Sequence, residues 1–474
     1  MTGFVTIANQ VSLRWRSRQI LNSLSFEWEE GSQVLLTGAP GSGKTLLSKA
    51  FGGELFHQGT IAFFKNGQPF QPSIQRVEQH YHFSNRSHVQ QFYYQQRFNS
   101  TEADDAATIR EELEALSPNA EAWMPLLERF SMTAHLDAPL LHLSSGEHKR
   151  FQLIRAFLQE PDLMILDEPF TGMDTRSRQL LSELINEKAA AGMQFIVVCE
   201  PEQAPACINT TLHLPRNGAV KEPQAFRLPA QLQPLPGHYR HHIEMKDAGI
   251  SYGNRALLAA VNWTVLPGQA WWLQGANGSG KTTLLSLVTA DNPKAYANNL
   301  SLFDRRRGTG ESIWDIKRHI GFVSPELQWY FDNSMTVFQT VASGLYDTIG
   351  LFRQPDADEQ ETVLAWLEAF DLLPEQDQPL QVLSTSQQRM ALLARAMVKN
   401  PPLLVLDEPC QGLSDRQQKA FTAVVDQLCA DPNRSLVYVT HYENELPRCI
   451  DRKVSLQNGK AITSTINRLE TISA

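Results

Sequence analysis

Apolar residues cluster along this chain in two alternating rhythms. Short unbroken apolar runs, QVLLT at 33–37, LMILD at 163–167, AWWLQ at 270–274 and LLVLD at 403–407, have the length of buried strands. Longer stretches with apolar residues at helical spacing follow the glycine-rich segments at 38 and 275 and the segments at 143 and 383. Strand patterns that alternate with long helical patterns predict an α/β fold with a largely parallel sheet.

The whole pattern occurs twice. GAPGSGKT at 38–45 and GANGSGKT at 275–282 lie 237 residues apart, whereas LSSGE at 143–147 and LSTSQ at 383–387 lie 240 apart, as do LMILDEP and LLVLDEP. A complete domain has therefore been duplicated, with insertions that nearly cancel. Residues 201–240 carry seven prolines, from Pro201 to Pro236, and read as the end of the first domain running into a stiff linker. The expected division is a first domain over 1–220, a Pro-rich linker over 221–241 and a second domain over 242–474.

Composition narrows the classes. Of 474 residues, 42% are apolar and 20% charged, which suits a soluble globular chain with large cores. Cys199, Cys207, Cys410, Cys429 and Cys449 lie without CxxC spacing, so reduced thiols are expected rather than disulfides or zinc. The N-terminal MTGFVTIANQ lacks the features of a secretory signal, and no run of about 18 apolar residues occurs, so a cytoplasmic location is expected, with peripheral attachment to the inner membrane as an option. The net charge of −9 makes nucleic acid an unexpected partner. FDRRRGTGE at 303–311 reads as a solvated loop, with an anion site as the alternative.

Both glycine-rich segments satisfy G-x-x-x-x-G-K-[ST], each between an apolar strand and a helical pattern. In such a loop, consecutive backbone N–H groups converge on phosphate, and Gly38, Gly41, Gly43 and Gly275, Gly278, Gly280 permit the close approach. Lys44 and Lys281 would neutralise phosphate oxygens, with Thr283 beside the second set. Thr45 and Thr282 would offer hydroxyls to Mg²⁺, and Asp167 and Asp407 at the strand ends would complete the metal shell. Glu168 and Glu408 are the expected groups for polarising an attacking water. The expected ligands are ATP and Mg²⁺, and the expected activity is Mg-dependent ATP hydrolysis.

LSSGE placed before an LDEP strand resembles the signature loop of ATP-binding cassette (ABC) ATPases, and the resemblance covers both halves. It implies two tandem P-loop ABC domains, each a mostly parallel core sheet with helices plus a helical subdomain carrying the signature loop. It also implies a head-to-tail sandwich in which each ATP lies between the phosphate loop of one half and the signature loop of the other. The high effective concentration that the linker supplies makes closure within one monomeric chain the expectation, with exchange between two chains as the alternative. Ser144, Gly146 and Ser384 then belong to the signature contacts. Trp15 and Tyr252, each 23 positions before the first loop glycine, match the adenine-stacking position, with a strand-surface aromatic as the alternative. His441 matches the switch histidine, with a strand-end cap as the alternative. Gln79 is the expected glutamine-loop residue of the first half, although several rival glutamines follow. In the second half Ser324 and Pro325 stand where Pro and Gln are usual.

Departures from the family pattern concentrate unevenly. Glu200 aligns with His441, and a carboxylate about 5 Å from phosphate charge would cost roughly 3 kcal/mol per charge at an effective dielectric near 20. Ser386 replaces the signature glycine, Ser145 replaces the usual first glycine, and GLS at 412–414 lacks the aspartate retained as Asp174. One site that holds ATP beside one that turns it over is the functional reading; neutral drift is the other. Residues 284–324 resemble the tandem ATPases associated with molybdate-transport operons, also described as photorepair proteins. That resemblance implies an ABC-type transport system with separate membrane permease subunits as partners, the alternative being a soluble regulatory, ribosome-linked or DNA-repair-linked ATPase.

Overall fold

A computed structural model describes residues 3–15, 18–39, 41–78, 107–140, 143, 145–215, 226–230, 232–252 and 255–466. The described residues up to 215 form one compact unit, and those from 226 onward form another. No helix among the described residues is long and apolar enough to cross a membrane.

The first unit opens with antiparallel strands β1 (Val5–Trp15) and β2 (Arg18–Trp28), followed by β3 (Val34–Gly38), helix α1 (Lys44–Phe51), β4 (Gln58–Lys65), β5 (Gln68–Phe70) and β6 (Ile74–Val77). Helices α2 (Ile109–Leu116), α3 (Ala120–Arg129) and α4 (Ser145–Leu158) come next. They are followed by β7 (Leu163–Asp167), α5 (Thr175–Ala190), β8 (Gln194–Val198) and β9 (Thr210–Leu214). A small antiparallel sheet runs β2-β1-β4-β5, and a second sheet runs β6-β7-β8-β3-β9 with every pairing parallel. Successive residues of the inner strands enter opposite cores, as a strand's period of two requires. Leu35, Met164, Leu166, Phe195 and Val197 join α2 to α4 on one face, while Leu36, Leu163, Ile165, Ile196 and Val198 join α1 and the small sheet on the other. Helical spacing builds the first of these cores from Ile109 and Leu113 on α2 and Trp123 and Leu127 on α3, all 1% exposed or less. Each such side chain contributes on the order of 2 kcal/mol by burial. A reciprocal cap starts α2, in which Glu111 N–H donates to Thr108 Oγ1 and Thr108 N–H to Glu111 Oε2.

The second unit repeats this plan. Strands β10 (Ile243–Tyr252), β11 (Arg255–Val265) and β12 (Ala270–Gln274) lead to α6 (Lys281–Val288), β13 (Asn299–Leu302), β14 (Arg305–Arg306), α7 (Ile313–Lys317) and β15 (Ile320–Val323). Helices α8 (Pro325–Tyr330), α9 (Val337–Ala342), α10 (Ala357–Ala369) and α11 (Thr385–Met397) precede β16 (Leu403–Asp407), α12 (Asp415–Leu428), β17 (Ser435–Val439), β18 (Arg452–Gln457) and β19 (Lys460–Thr465). The main sheet runs β15-β16-β17-β12-β18-β19, parallel except for β19 at the edge. Trp272, Leu404, Leu406 and Tyr438 face the helical layer, whereas Trp271, Leu403, Val405 and Val437 face α6 and the small sheet.

Residues 226–230 and 232–241 of the Pro-rich linker lie on this second unit. Phe226 is buried against Phe370 at 5.3 Å between ring centroids, Arg227 N–H donates to Ala369 O, and Leu228 and Leu232 pack on the helical core. Farther along, Asn400 donates to Gln233 O, and Tyr239 stacks edge-on with Phe303 and His319.

Candidate functional site

Each phosphate loop joins the carboxyl end of a central parallel strand to a helix, β3 to α1 and β12 to α6, so its N–H groups lie at a helix N-terminus. Gly43 and Gly280 cap those helices in the left-handed region, at φ 94° and 100°. A Cβ at Gly43 would lie 2.8 Å from Ile20 Cγ2 and one at Gly275 would lie 2.4 Å from Ser279 Oγ, so backbone and neighbours are packed too closely for another residue. Lys44 Nζ donates to Gly38 O at 2.6 Å, and Lys281 Nζ to Gly275 O at 2.7 Å, which sets each ammonium across its own loop. The hydroxyls of Ser42 and Ser279 are buried without a hydrogen-bond partner among the described residues. Helix N-terminus, lysine and spare hydroxyl together fit a polyphosphate.

Asp167 and Asp407 are the last residues of β7 and β16. Asp167 is 2% exposed; its carboxylate contacts the Thr45 and Ser48 hydroxyls, while Oδ1 is buried without a partner among the described residues. Burial raises the Asp167 carboxyl above its ordinary range. An unsatisfied carboxylate oxygen beside a threonine hydroxyl is the hard-oxygen set that a divalent cation such as Mg²⁺ takes. Asp407 is likewise buried, and Thr282 holds the same second position of its helix as Thr45, followed by Thr283.

The adjoining glutamates share an unusual backbone. Glu168 and Glu408 have φ of 48° and 46°, and their N–H groups donate to Val198 O and Val439 O, each at 2.9 Å. A non-glycine residue in the left-handed region costs about 1 kcal/mol or more. Both copies maintain it, with the strand β8 or β17 holding the turn.

Surroundings of the two glutamates differ. His441 Nε2 lies 3.7 Å from Glu408 Oε1, so the second half sets an imidazole against its carboxylate. Around Glu168, burial first, then the charge of Asp167 and, more weakly, that of Glu200, push the carboxyl up to about 7, against the pull of Lys44 and Lys149. The first half thus sets a second carboxylate where the second half has a histidine.

Two buried cations bind these centres together, and the sequence signal for them is the basic residue that follows each signature loop. Arg389, fully buried on α11, donates to Ser324 O, Asp407 O, Pro409 O and Glu408 O. Burial lowers its pKa to about 10, opposed by the charges of Asp407 and Glu408. Lys149 occupies the matching place on α4 and donates to Glu78 O at 2.7 Å; burial lowers it to about 8. Ser324 supplies a carbonyl to Arg389 and caps α8, and Pro325 starts that helix. Glu326, 5% exposed with Oε2 lacking a hydrogen-bond partner among the described residues, also acts on Arg389 electrostatically, more weakly than Asp407 and Glu408.

The signature segments are helix starts in both halves. Ser384 caps α11, its hydroxyl accepting from Gln387 N–H, and Ser386, 4% exposed, turns its Oγ to within 3.2 Å of Ser384 Oγ. Gly146 is buried in the first turn of α4, where Glu147 lies 3.2 Å from His135 Nε2. Asp174 and Ser414 both cap the following helices, α5 and α12, so this difference preserves the helix start. Trp15 and Tyr252 end β1 and β10. Gln79, Ser144 and the side chain of Tyr252 lie outside the described residues.

The family described as ABC transporter matches residues 21–171 and 258–411, spans that contain both phosphate loops, both signature segments and both Asp-Glu-Pro turns. The chain belongs to the ABC transporter family. It is similar to the ABC transporter ATP-binding protein ModF of Escherichia coli K12, 34% identical over 465 residues that cover 90% of this chain and 91% of that one. An uncharacterized ABC transporter ATP-binding protein of Schizosaccharomyces pombe is 31% identical over 98% of this chain and 99% of its own length. Another, from Saccharomyces cerevisiae, is 26% identical over 74% of this chain and 75% of its own length. As a tandem member of the family, the protein binds ATP and is an ATPase.

Proposed function

We propose that the two ATP sets are unequal: the second half turns ATP over, while the first mainly holds it. The observation that carries this reading is the contrast at the catalytic glutamates, His441 beside Glu408 against Glu200 beside Glu168. At the second set, backbone N–H groups from Gly278 to Lys281 and the Lys281 ammonium bind and orient the phosphates. Glu408 accepts a proton from an attacking water, and His441 steadies the glutamate and faces the terminal phosphate. Thr282 and Asp407, like Thr45 and Asp167, would hold Mg²⁺, which supplies positive charge to the phosphate oxygens when bound. At the first set the charge of Glu200 adds to burial and Asp167 in opposing ionisation of Glu168, where the second set has the His441 imidazole beside its glutamate. Glu200 further adds negative charge close to where phosphate charge must sit. Glu326, Arg389 and Lys149 act as positioning residues for the Asp-Glu turns.

Closure driven by ATP and opening driven by hydrolysis are the family's means of moving a partner. We propose that the protein works with an ABC-type transport system with separate permease subunits, of the molybdate-like class that the resemblance of residues 284–324 implies; its likeness to an ABC transporter ATP-binding protein over nearly the whole chain supports the transport reading. Purification from native membranes tests this: an integral membrane protein retained with the tagged chain supports it. Retention of ribosomes, or of soluble proteins alone, replaces it with a soluble regulatory, ribosome-linked or repair-linked role. The catalytic asymmetry is tested separately, by turnover in the two Glu→Gln variants.

A further inference from the structure

Cys429 ends α12 as its C-cap, and Cys449 lies on the segment between β17 and β18, eight positions after His441. The backbone brings the two together, because Cys449 N–H donates to Asp426 Oδ1 at 2.8 Å, one helical turn before Cys429. Both cysteines are half-buried and pack against the same edge of the helical core. A buried cation completes the cluster: Arg434 is 2% exposed, interacts electrostatically with Cys429, and keeps an Nε without a hydrogen-bond partner among the described residues. Arg434 favours negative charge on Cys429, whereas Cys429, burial and Asp426 hold the Cys449 thiol above its ordinary range, so Cys429 is the sulfur that attacks first.

The duplication supplies an internal comparison. In the first half Cys207 N–H donates to Asn186 Oδ1, also at 2.8 Å, and Asn186 stands 240 residues before Asp426. The residue 240 before Cys429 is Ala189. The same segment is therefore pinned to the same helix without a second sulfur, so packing does not require one.

We infer that Cys429 and Cys449 are a modification site, a thiol pair that closes reversibly to a disulfide and latches the His441-bearing segment onto α12. The latch would reinforce existing polar ties, since Gln418 Nε2 already donates to Asn444 O at 3.4 Å. A low-molecular-weight disulfide such as oxidised glutathione serves as the oxidant. The Cys429 thiolate attacks one of its sulfurs, forming a mixed disulfide and expelling one glutathione thiolate. Cys449 then attacks the Cys429 sulfur and expels the second. One protein disulfide forms, one external disulfide is reduced to two thiols, and the protein's two thiol protons pass through solvent to the departing thiolates. The effect on turnover rests on the reading of His441 given above, whereas disulfide formation does not.

The test treats the full chain with oxidised glutathione. Two of its five thiols are expected to disappear, with a Cys429–Cys449 cross-linked peptide about 2 Da lighter than the two free peptides, and dithiothreitol should restore both. Cys429→Ala, which copies Ala189, should abolish the cross-link, and Cys207→Ser should leave it intact. Stable glutathione adducts, a cross-link between other cysteines, or five unchanged thiols overturns the site. In the oxidised protein, ATP turnover is expected to fall severalfold and to recover on reduction. A disulfide that forms and leaves turnover unchanged overturns the latch on His441.

Discussion

Glu168→Gln offers a test of the first site's electrostatics that needs no nucleotide. In the folded unit, burial, Asp167 and Glu200 raise this carboxyl from 4.5 to about 7. Between those values the folded chain keeps a proton that the unfolded chain has released. Folding stability therefore falls as pH rises through this window, and the loss is complete above about pH 7. A difference of about 2.5 pH units corresponds to about 3 kcal/mol. Glutamine keeps the shape and cannot ionise, so Glu168→Gln should stabilise the first unit by about 3 kcal/mol at pH 8 and by less than about 1 kcal/mol at pH 5. On a domain of this size the pH 8 gain corresponds to roughly 6 to 12 °C in Tm. Calorimetry of the full chain in EDTA, without nucleotide, at both pH values reads the difference. Equal shifts at pH 5 and pH 8, or a loss at pH 8, would refute the reasoning, since neither follows from relieving a buried charge.

Three other outcomes are expected. Gly280→Ala places a Cβ 3.0 Å from Leu258 Cδ2 at a φ of 100°, so the loop must shift, and ATP affinity should fall about tenfold in an equilibrium binding assay; unchanged affinity would show that the loop tolerates a side chain. Arg389→Met removes a buried donor from four carbonyls, and urea unfolding of the second unit should lose about 3 to 5 kcal/mol. A change below about 1 kcal/mol would mean that this cation is not what ties β16 to the turn before α8. Phe226→Ala should cost about 3 kcal/mol in the second unit and nothing in the first, read from the separate calorimetric transitions, because this ring fills the helical core beside Phe370.

Much of the fold was readable because the strands β3, β7, β12 and β16 are apolar on both faces, a pattern that parallel central strands require and few other elements tolerate. The phosphate loops were equally plain, since left-handed glycines and a lysine at fixed spacing are backbone requirements written as residue types. What stayed hidden depends on contacts across the chain. Nothing local marks Arg389 as the donor to Ser324 O, 65 residues away, or shows that Glu326 would approach it. The left-handed backbone of Glu168 and Glu408 is also set from outside, by hydrogen bonds from neighbouring strands. Ser386 reads from sequence as a replaced glycine, and the contact of its hydroxyl with that of Ser384 depends on the helix start that Ser384 caps. The prolines from 201 to 236 read as the end of the first domain running into a stiff linker, and the described ones from Pro229 onward belong to a segment packed on the second unit through Phe226, Leu232 and Gln233. Proline stiffens a chain whether or not it packs, so composition alone does not distinguish a tether from a strap.

The inequality of the two ATP sets is tested most directly by ATP hydrolysis, in single turnover and at steady state, for wild type beside Glu168→Gln and Glu408→Gln, with retained nucleotide counted after rapid desalting. Wild type should retain about one nucleotide per chain and turn over the other. Glu408→Gln should nearly abolish turnover while ATP stays bound, and Glu168→Gln should reduce it far less. Equal losses in the two variants, or two equivalent turnovers in wild type, would contradict a holding site beside a working one.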